Sequence, residues 1–220
     1  MKSKFASTAL IIAVPVLFAV GFTILGSTFD YPEVLRKPSV EVLAEFQAKK
    51  AQILPGWWLM FIAALMFAPV SSLINSKLTT SQVTLTVGIA AAITQALGLS
   101  RWIFAVPVLA AKSDPSAVLI FDVLHQLLGV GIGEWAGYFF TSIWTALIAN
   151  ALSTRSKPLA RSGYFIAIGI AFGLAETFGI SIAGSINAIA YSVWILWMII
   201  VAVHIHRYQP DNLPGAKISK

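Results

Sequence analysis

The chain has 220 residues, of which 58% are hydrophobic and only 11% are charged. Soluble domains carry roughly 25% charged residues, so this composition excludes an ordinary soluble protein and favours an integral membrane protein. The absence of cysteine excludes disulfide bonds and thiolate metal sites. The net charge of +6 does not indicate nucleic-acid binding, because the basic residues lie at the ends of apolar runs.

Six apolar segments, each long enough to cross a hydrocarbon core of about 30 Å, predict an all-α polytopic membrane bundle. The predicted transmembrane helices cover residues 5–25, 57–75, 83–109, 133–152, 164–183 and 186–205, within a single domain over residues 1–208. Only Gly184 and Ser185 separate the last two spans, which predicts a tight helical hairpin. Residues 209–220 are predicted to form a flexible cytoplasmic tail.

The first apolar run also matches the pattern of a signal peptide, because Lys2 and Lys4 precede it. Its length and the lack of a clear small-residue cleavage site after Leu25 favour a retained span. With the N-terminus in the cytoplasm, nine lysines and arginines fall on the cytoplasmic side and five fall outside. This excess predicts that both termini are cytoplasmic.

The two longer outer segments are predicted to contain short amphipathic helices along the membrane surface. Ser39 is a plausible N-cap for a helix over residues 40–50, in which Val42, Leu43 and Phe46 share one face. Asp114 and Pro115 have the pattern of an N-cap and first helical residue, and the helix they begin should run toward the fourth span.

Arg101 and Glu134 are charged residues inside apolar stretches, and residue counts along the third and fourth spans place both near the outer boundary. We therefore predict a salt bridge or a shared polar pocket between them. The alternatives are two side chains that extend separately to the interface or a purely structural ion pair. Asp122 and His125 share a helix face leading to Glu134, and either join this outward polar cluster or are simply solvated.

Glu176 is predicted near the membrane midplane, because it lies 12 residues into the fifth predicted span. Gln95 is predicted at a similar depth. An unpaired glutamate there should be protonated, since desolvation disfavours the charged form. It then either donates a structural hydrogen bond, for example to Gln95, or carries protons.

Glycines recur at helical spacing in the fourth span, at Gly129, Gly133 and Gly137. Small residues at this spacing let helices approach closely. The contacts are expected within the bundle, with a dimer interface or an opened cavity as alternatives.

No cofactor or metal site is predicted. Haem ligation in a membrane bundle needs facing histidines at one depth, whereas His125 is predicted outside and His204 and His206 at the inner end. A zinc site has only these histidines and scattered acids, and no phosphate-binding loop or nucleophile motif is present.

Three stretches of the chain resemble the bacterial membrane family described as domain of unknown function 4386. They are FDYPEVLRKPSVEVLAEF after the first span, ALGLSRWIFAVPVLA in the third, and FDVLHQLLGVGIGEWAGYFFTSIWTALIA in the fourth. The resemblance implies a six-span, multi-pass protein of the bacterial inner membrane. It implies no activity and no residue roles.

Three functions are compatible with these features. The first is small-molecule or proton-linked transport through a polar site inside the bundle, with Glu176 at the midplane and the Arg101–Glu134 pair as an outer gate. The second is a non-catalytic ligand-binding protein or an accessory subunit of a membrane complex. An intramembrane enzyme is disfavoured, because no nucleophile–base or metal constellation is visible. The expected partners are the lipid bilayer, a small-molecule ligand, and a second copy or another membrane subunit, but no nucleic acid.

Overall fold

A computed structural model describes residues 2–112 and 114–207, and this part of the chain is all helical. The α-helices are α1 (Lys2–Phe29), α2 (Ser39–Leu78), α3 (Gln82–Phe104), α4 (Val106–Lys112), α5 (Pro115–Leu124), α6 (Gly137–Leu152), α7 (Lys157–Phe172) and α8 (Ile182–Arg207). A π-helix (His125–Ala136) joins α5 to α6, and two 3₁₀-helices cover Glu33–Arg36 and Gly173–Phe178. The predicted tail over residues 209–220 lies outside the described residues.

Six helical runs are long and apolar enough to cross a membrane, which confirms the predicted six-span, all-α class. They are Phe5–Phe29, Ser39–Leu78, Gln82–Lys112, Pro115–Leu152, Lys157–Phe178 and Ile182–Arg207. Successive runs alternate in direction. The start of α1 and the end of α8 therefore share one end of the bundle, the terminal end. The connection over residues 30–38, the N-cap Asp114 and the turn over residues 179–181 share the opposite end, the loop end.

The segment predicted as a separate surface helix over residues 40–50 is instead the beginning of α2, a continuous helix of 40 residues. The prediction of a surface location was wrong, because Val42, Leu43 and Phe46 are buried in the bundle core rather than facing a membrane surface. Ser39 is the first helical residue and not the N-cap, which is Pro38. The apolar face of α2 therefore extends the core beyond the predicted span.

The second outer helix follows the prediction more closely. The side chain of Asp114 caps α5 by accepting a hydrogen bond from the backbone N–H of Ala117 at 2.8 Å, and Pro115 is the first helical residue.

The third span breaks at Ala105 and resumes as α4. Pro107 has no N–H to donate to the carbonyl of Ile103, which explains the interruption.

The turn between the fifth and sixth spans differs from the predicted hairpin at Gly184 and Ser185. The chain turns earlier, at Gly179, whose φ of +84° is in the left-handed region that glycine adopts at low cost. Gly184 and Ser185 lie inside the first turns of α8. This shift shortens the fifth span at its loop end and changes the position of Glu176.

Buried apolar side chains form two clusters along the bundle. The cluster at the loop end is built on the stacked indoles of Trp57 and Trp102, whose ring centroids are 4.6 Å apart, with Phe29 packed edge-on against both. The cluster at the terminal end includes Trp144 and Trp194. A cavity lies where the two clusters meet, and both contribute side chains to its wall.

Candidate functional site

The main cavity has a volume of about 510 Å³ and lies in the half of the bundle nearer the loop end. Pockets of roughly 300–1,000 Å³ accommodate small-molecule ligands. Its wall combines aromatic side chains with charged and amide groups, and all six spans and the connection over residues 30–38 contribute to it. The polar members are Tyr31, Glu33, Arg36, Gln95, Arg101, Glu134, Tyr138, Glu176, Ser181, Ser185, Asn187 and Tyr191.

Arg36 joins two carboxylates at the loop end of this cavity. Its Nη2 lies 2.8 Å from Oε2 of Glu134, and its Nε lies 2.7 Å from Oε1 of Glu176. Arg36 is placed by the 3₁₀-helix Glu33–Arg36, which the buried side chain of Val34 anchors to the core. We call this three-residue contact the Arg36 bridge. It connects the 30–38 connection, the π-helix and the end of the fifth span.

The two carboxylates stabilise the charged form of Arg36. Burial by itself would lower the pKa of Arg36, but the hydrogen bond to Glu176 and the charge of Glu134 outweigh it and raise that pKa above its usual value. The Arg36 side chain is 43% exposed, compared with 14% for Glu134 and 23% for Glu176. The cation thus covers the two carboxylates from the solvent side.

Glycines make room for the charged groups. A Cβ at Gly184 would lie 3.1 Å from Oε2 of Glu176, and a Cβ at Gly133 would lie 2.9 Å from the Cα of Gly98. The second contact brings the π-helix against α3 at close backbone distance. The glycines noted in the fourth span therefore serve contacts within the bundle, and Gly133 positions the neighbouring Glu134.

Arg101 is the most buried charged side chain that lines the cavity, at 5% exposure. Its Nη1 donates to the backbone carbonyl of Gly98, and its guanidinium carbon lies 5.2 Å from the ring centroid of Trp102. Its Nε has no hydrogen-bond partner among the described residues. Gly129 is required beside it, because a Cβ there would lie 2.7 Å from the guanidinium carbon.

The predicted salt bridge between Arg101 and Glu134 is not formed. Both oxygens of Glu134 instead face Arg36, with Oε1 3.5 Å from Nη1 and Oε2 2.8 Å from Nη2. Arg101 and Glu134 do line the same cavity, which was the second form of the prediction. The pairing was mispredicted because Arg36, 98 positions before Glu134, comes into range only in the folded bundle.

The prediction that places Glu176 at the membrane midplane is wrong. The fifth span begins at Lys157 rather than Tyr164 and ends at Phe178, so Glu176 lies near the loop end and pairs with Arg36. Gln95 does not contact it but donates from Nε2 to Thr141 Oγ1 at 2.7 Å. Glu176 and Gln95 nevertheless line the same cavity.

Asp122 and His125 lie beside the Arg36 bridge. They line a smaller cavity of about 350 Å³ together with Arg36, Glu134 and Glu176. Asp122 accepts a hydrogen bond from the Ser39 hydroxyl, and the His125 ring stacks on Phe121 with centroids 5.6 Å apart. The structure thus gathers Asp122, His125, Glu134 and Glu176 around a residue that the sequence did not single out.

Sequence reasoning missed Arg36 and Tyr31. Arg36 was counted only among the five basic residues placed outside. It lies between Tyr31-Pro32 and Lys37-Pro38, and two such dipeptides so close together indicate a segment with a defined backbone conformation. Tyr31 lines the cavity and packs edge-on against Trp57, with centroids 5.3 Å apart. Burial, followed by the charge of Glu134, raises the pKa of Tyr31, so its phenol stays neutral.

Within residues 2–112 and 114–207, no three histidine or acidic side chains are grouped so that they could hold a metal ion. The cavity wall itself presents one buried guanidinium, the two carboxylates bridged by Arg36 and the exposed carboxylate of Glu33, together with amide, hydroxyl and aromatic groups. Such a wall can bind and orient a ligand.

The model of one protein family matches residues 7–202, which is most of the chain, and that family is described as domain of unknown function (DUF4386). The chain belongs to the DUF4386 family. The predicted family is thereby confirmed. No curated protein and no solved structure matches the chain. Membership in DUF4386 assigns no activity, so the functional argument depends on the cavity.

Proposed function

We propose that this protein is a small-molecule transporter of the bacterial inner membrane, in which the substrate occupies the 510 Å³ cavity. The Arg36 bridge is the gate at the loop end. The observation that carries this proposal is that one partly exposed guanidinium holds two carboxylates from different spans at the wall of that cavity. The excess of lysine and arginine on the other side supports a loop end that faces outward and termini in the cytoplasm.

Such a bridge is suited to reversible opening. Partly exposed ion pairs contribute only about 0.2–1 kcal/mol each, because solvent screens them and long side chains lose freedom. Arg36 can therefore leave its two partners at a cost of roughly 0.4–2 kcal/mol. The short connection over residues 30–38 would carry Arg36 away from the π-helix and the fifth span.

The sequence permits a direct accessibility test, because the natural chain has no cysteine to remove. A single cysteine at Ala188, which lines the cavity on α8, would be labelled by a membrane-impermeant thiol reagent in vesicles. We expect Arg36→Gln to accelerate labelling from the loop-end side by about 2- to 30-fold, the ratio that corresponds to about 0.4–2 kcal/mol. Lys112→Gln removes an exposed charge at the same end and is the matched control.

Labelling from the opposite side distinguishes transport from binding alone. A carrier exposes its site alternately, so Ala188→Cys should also react in vesicles of inverted orientation. A ligand-binding or accessory protein should react from one side only. Equal labelling rates in the Arg36→Gln and Lys112→Gln backgrounds would refute the gate.

A further inference from the structure

The cavity presents separated charges of opposite sign. Arg36 is shared by Glu134 and Glu176, so this group of three carries a formal surplus of one negative charge. Arg101 carries one positive charge on the same wall and forms no close ion pair with either carboxylate, although the charge of Glu134 acts on it. These four side chains are neutral as a set, and the exposed carboxylate of Glu33 on the same wall adds one negative charge. The pairing leaves a positive region at Arg101 and a negative region at the carboxylates.

The positive region, at Arg101, has too few hydrogen-bond acceptors for the guanidinium. Arg101 is 95% buried, and in the described part of the chain its Nε has no hydrogen-bond partner. A buried ion without sufficient partners is costly, and an anionic group in the cavity would offset that cost. Carboxylates match the planar donor pattern of a guanidinium particularly well.

The negative region, at Glu134 and Glu176, has one cation, Arg36, for two carboxylates. One guanidinium serves two carboxylates, and it engages Glu176 through a single oxygen, Oε1. Both oxygens of Glu176 lie against Gly184, where a Cβ would come within 3.1 Å of Oε2 and 3.2 Å of Oε1, so the glycine makes room for this carboxylate. An ammonium group, with three donors, could bind between the two glutamates beside Arg36. A purely anionic ligand would gain nothing here and would be repelled.

The rest of the wall is apolar and aromatic. The loop-end cluster contributes Trp57 and Trp102 to this wall. The side nearer the terminal-end cluster contributes Tyr138, Tyr191 and Trp194. These rings provide a surface for the uncharged body of a ligand. A long aliphatic or aromatic group fits this wall better than a fully polar molecule.

We propose that the cavity binds an amphipathic zwitterion, that is, a small molecule with a carboxylate, an ammonium group and an apolar body, of the kind found in hydrophobic amino acids. Arg101 binds the carboxylate, and the pair Glu134 and Glu176 binds the ammonium group. Binding leaves the net charge of the cavity unchanged, because the ligand adds one charge of each sign. This assignment rests on the proposed function, since it names the substrate class of the same cavity.

Four related probes separate the contributions of charge. L-Phenylalanine is zwitterionic, N-acetyl-L-phenylalanine is anionic, L-phenylalaninamide is cationic and N-acetyl-L-phenylalaninamide is neutral. Their affinities would be measured by calorimetric titration of the full chain in nanodiscs, with empty nanodiscs as the blank. We expect L-phenylalanine to bind about 10- to 100-fold more tightly than any of the other three, since each charge-assisted contact contributes at that level.

Two variants test which cavity residue binds the carboxylate of the ligand and which binds its ammonium group. Arg101→Gln should abolish the advantage of probes that carry a carboxylate, while Glu176→Gln should abolish the advantage of probes that carry an ammonium group. Arg161→Gln and Glu41→Gln, which change exposed residues away from the cavity, should keep the full preference. Arg101→Lys retains the charge and should keep part of the carboxylate preference, which covers the case in which Arg101→Gln fails to fold.

The outcomes are distinct. If N-acetyl-L-phenylalanine, the anionic probe, binds as tightly as L-phenylalanine or more tightly, the ammonium site is wrong. If N-acetyl-L-phenylalaninamide, the neutral probe, binds as tightly as L-phenylalanine, both charged sites are wrong, although the cavity would still bind a ligand. If none of the four probes binds at millimolar concentration, the zwitterion assignment is wrong. The Ala188→Cys labelling experiment uses no ligand, so it judges the proposed gate independently of this result.

Discussion

The close contact between Gly98 and Gly133 provides a sensitive test of how the site is held together. A Cβ added to Gly98 would lie 2.5 Å from the Cα of Gly133 and 3.1 Å from the carbonyl oxygen of Leu128. Both neighbours are backbone atoms, which cannot move aside by changing rotamer. Ordinary van der Waals contact begins at 3.4 Å, so α3 and the π-helix would have to separate by about 1 Å.

We expect Gly98→Ala to destabilise the protein by about 1–3 kcal/mol through overpacking. Alanine also gains about 1 kcal/mol over glycine in helix propensity, which partly masks this effect. Gly26→Ala is the matched control on α1, because a Cβ there has its nearest neighbour at 3.6 Å, in ordinary contact. The propensity gain is common to both variants, so the difference between them isolates the packing cost.

The free energy of unfolding would be measured by reversible denaturation in mixed micelles for both variants. The double variant of Gly98→Ala and Gly133→Ala should cost less than the two single costs together, because one helix separation relieves both clashes. Arg101 and Glu134 lie next to this contact, so the separation should also speed labelling at Ala188→Cys. If Gly98→Ala is as stable as Gly26→Ala, the close approach is not required and this account of the site is wrong.

Two further predictions concern hydrogen bonds elsewhere in the bundle. Thr145→Val should cost about 1–3 kcal/mol of stability, because the buried Nε1 of Trp194 loses its acceptor at 3.0 Å, whereas Thr145→Ser keeps the hydroxyl and should be milder in thermal unfolding. The Ser116 hydroxyl and the Ala117 N–H hold the pKa of Asp114 below its usual 3.8. The stability that this cap contributes is therefore present above that value and lost as the pH falls through the lower folded pKa. Asp114→Asn should flatten the loss of thermal stability between neutral pH and pH values below about 4, and an unchanged pH profile would contradict the assignment.

The sequence was sufficient for the class and for much of the local structure. Apolar length alone requires six spans, since the runs can cross a bilayer only as helices. The Asp114 cap followed from a local pattern of residue types, and the structure contains it. These features depend on neighbours a few positions apart, which a single sequence displays directly.

The sequence led to wrong positions where the location of a residue along the bundle depends on the residue at which its helix begins or ends. Counting from an assumed start at Tyr164 placed Glu176 at the midplane, because nothing in the apolar pattern shows that the helix begins at Lys157. The turn was assigned to Gly184 for a similar reason, although Gly179 is the glycine with the left-handed conformation. An error of a few residues moves a charge by several ångströms along a helix.

By itself, the sequence determined that this protein is an all-helical member of DUF4386 with six runs long and apolar enough to cross a membrane, and with a few charges in apolar surroundings. It also singled out Arg101 and Glu134 as one candidate site and Glu176 with Gln95 as another, and the structure places all four at the wall of one cavity. Only the tertiary structure decided their pairing. Arg36 reaches both glutamates across separations of 98 and 140 positions, and the buried Nε of Arg101 has no hydrogen-bond partner in the described part of the chain. The physical reason is that charge pairing depends on distances of a few ångströms between side chains, and packing of the helices sets those distances.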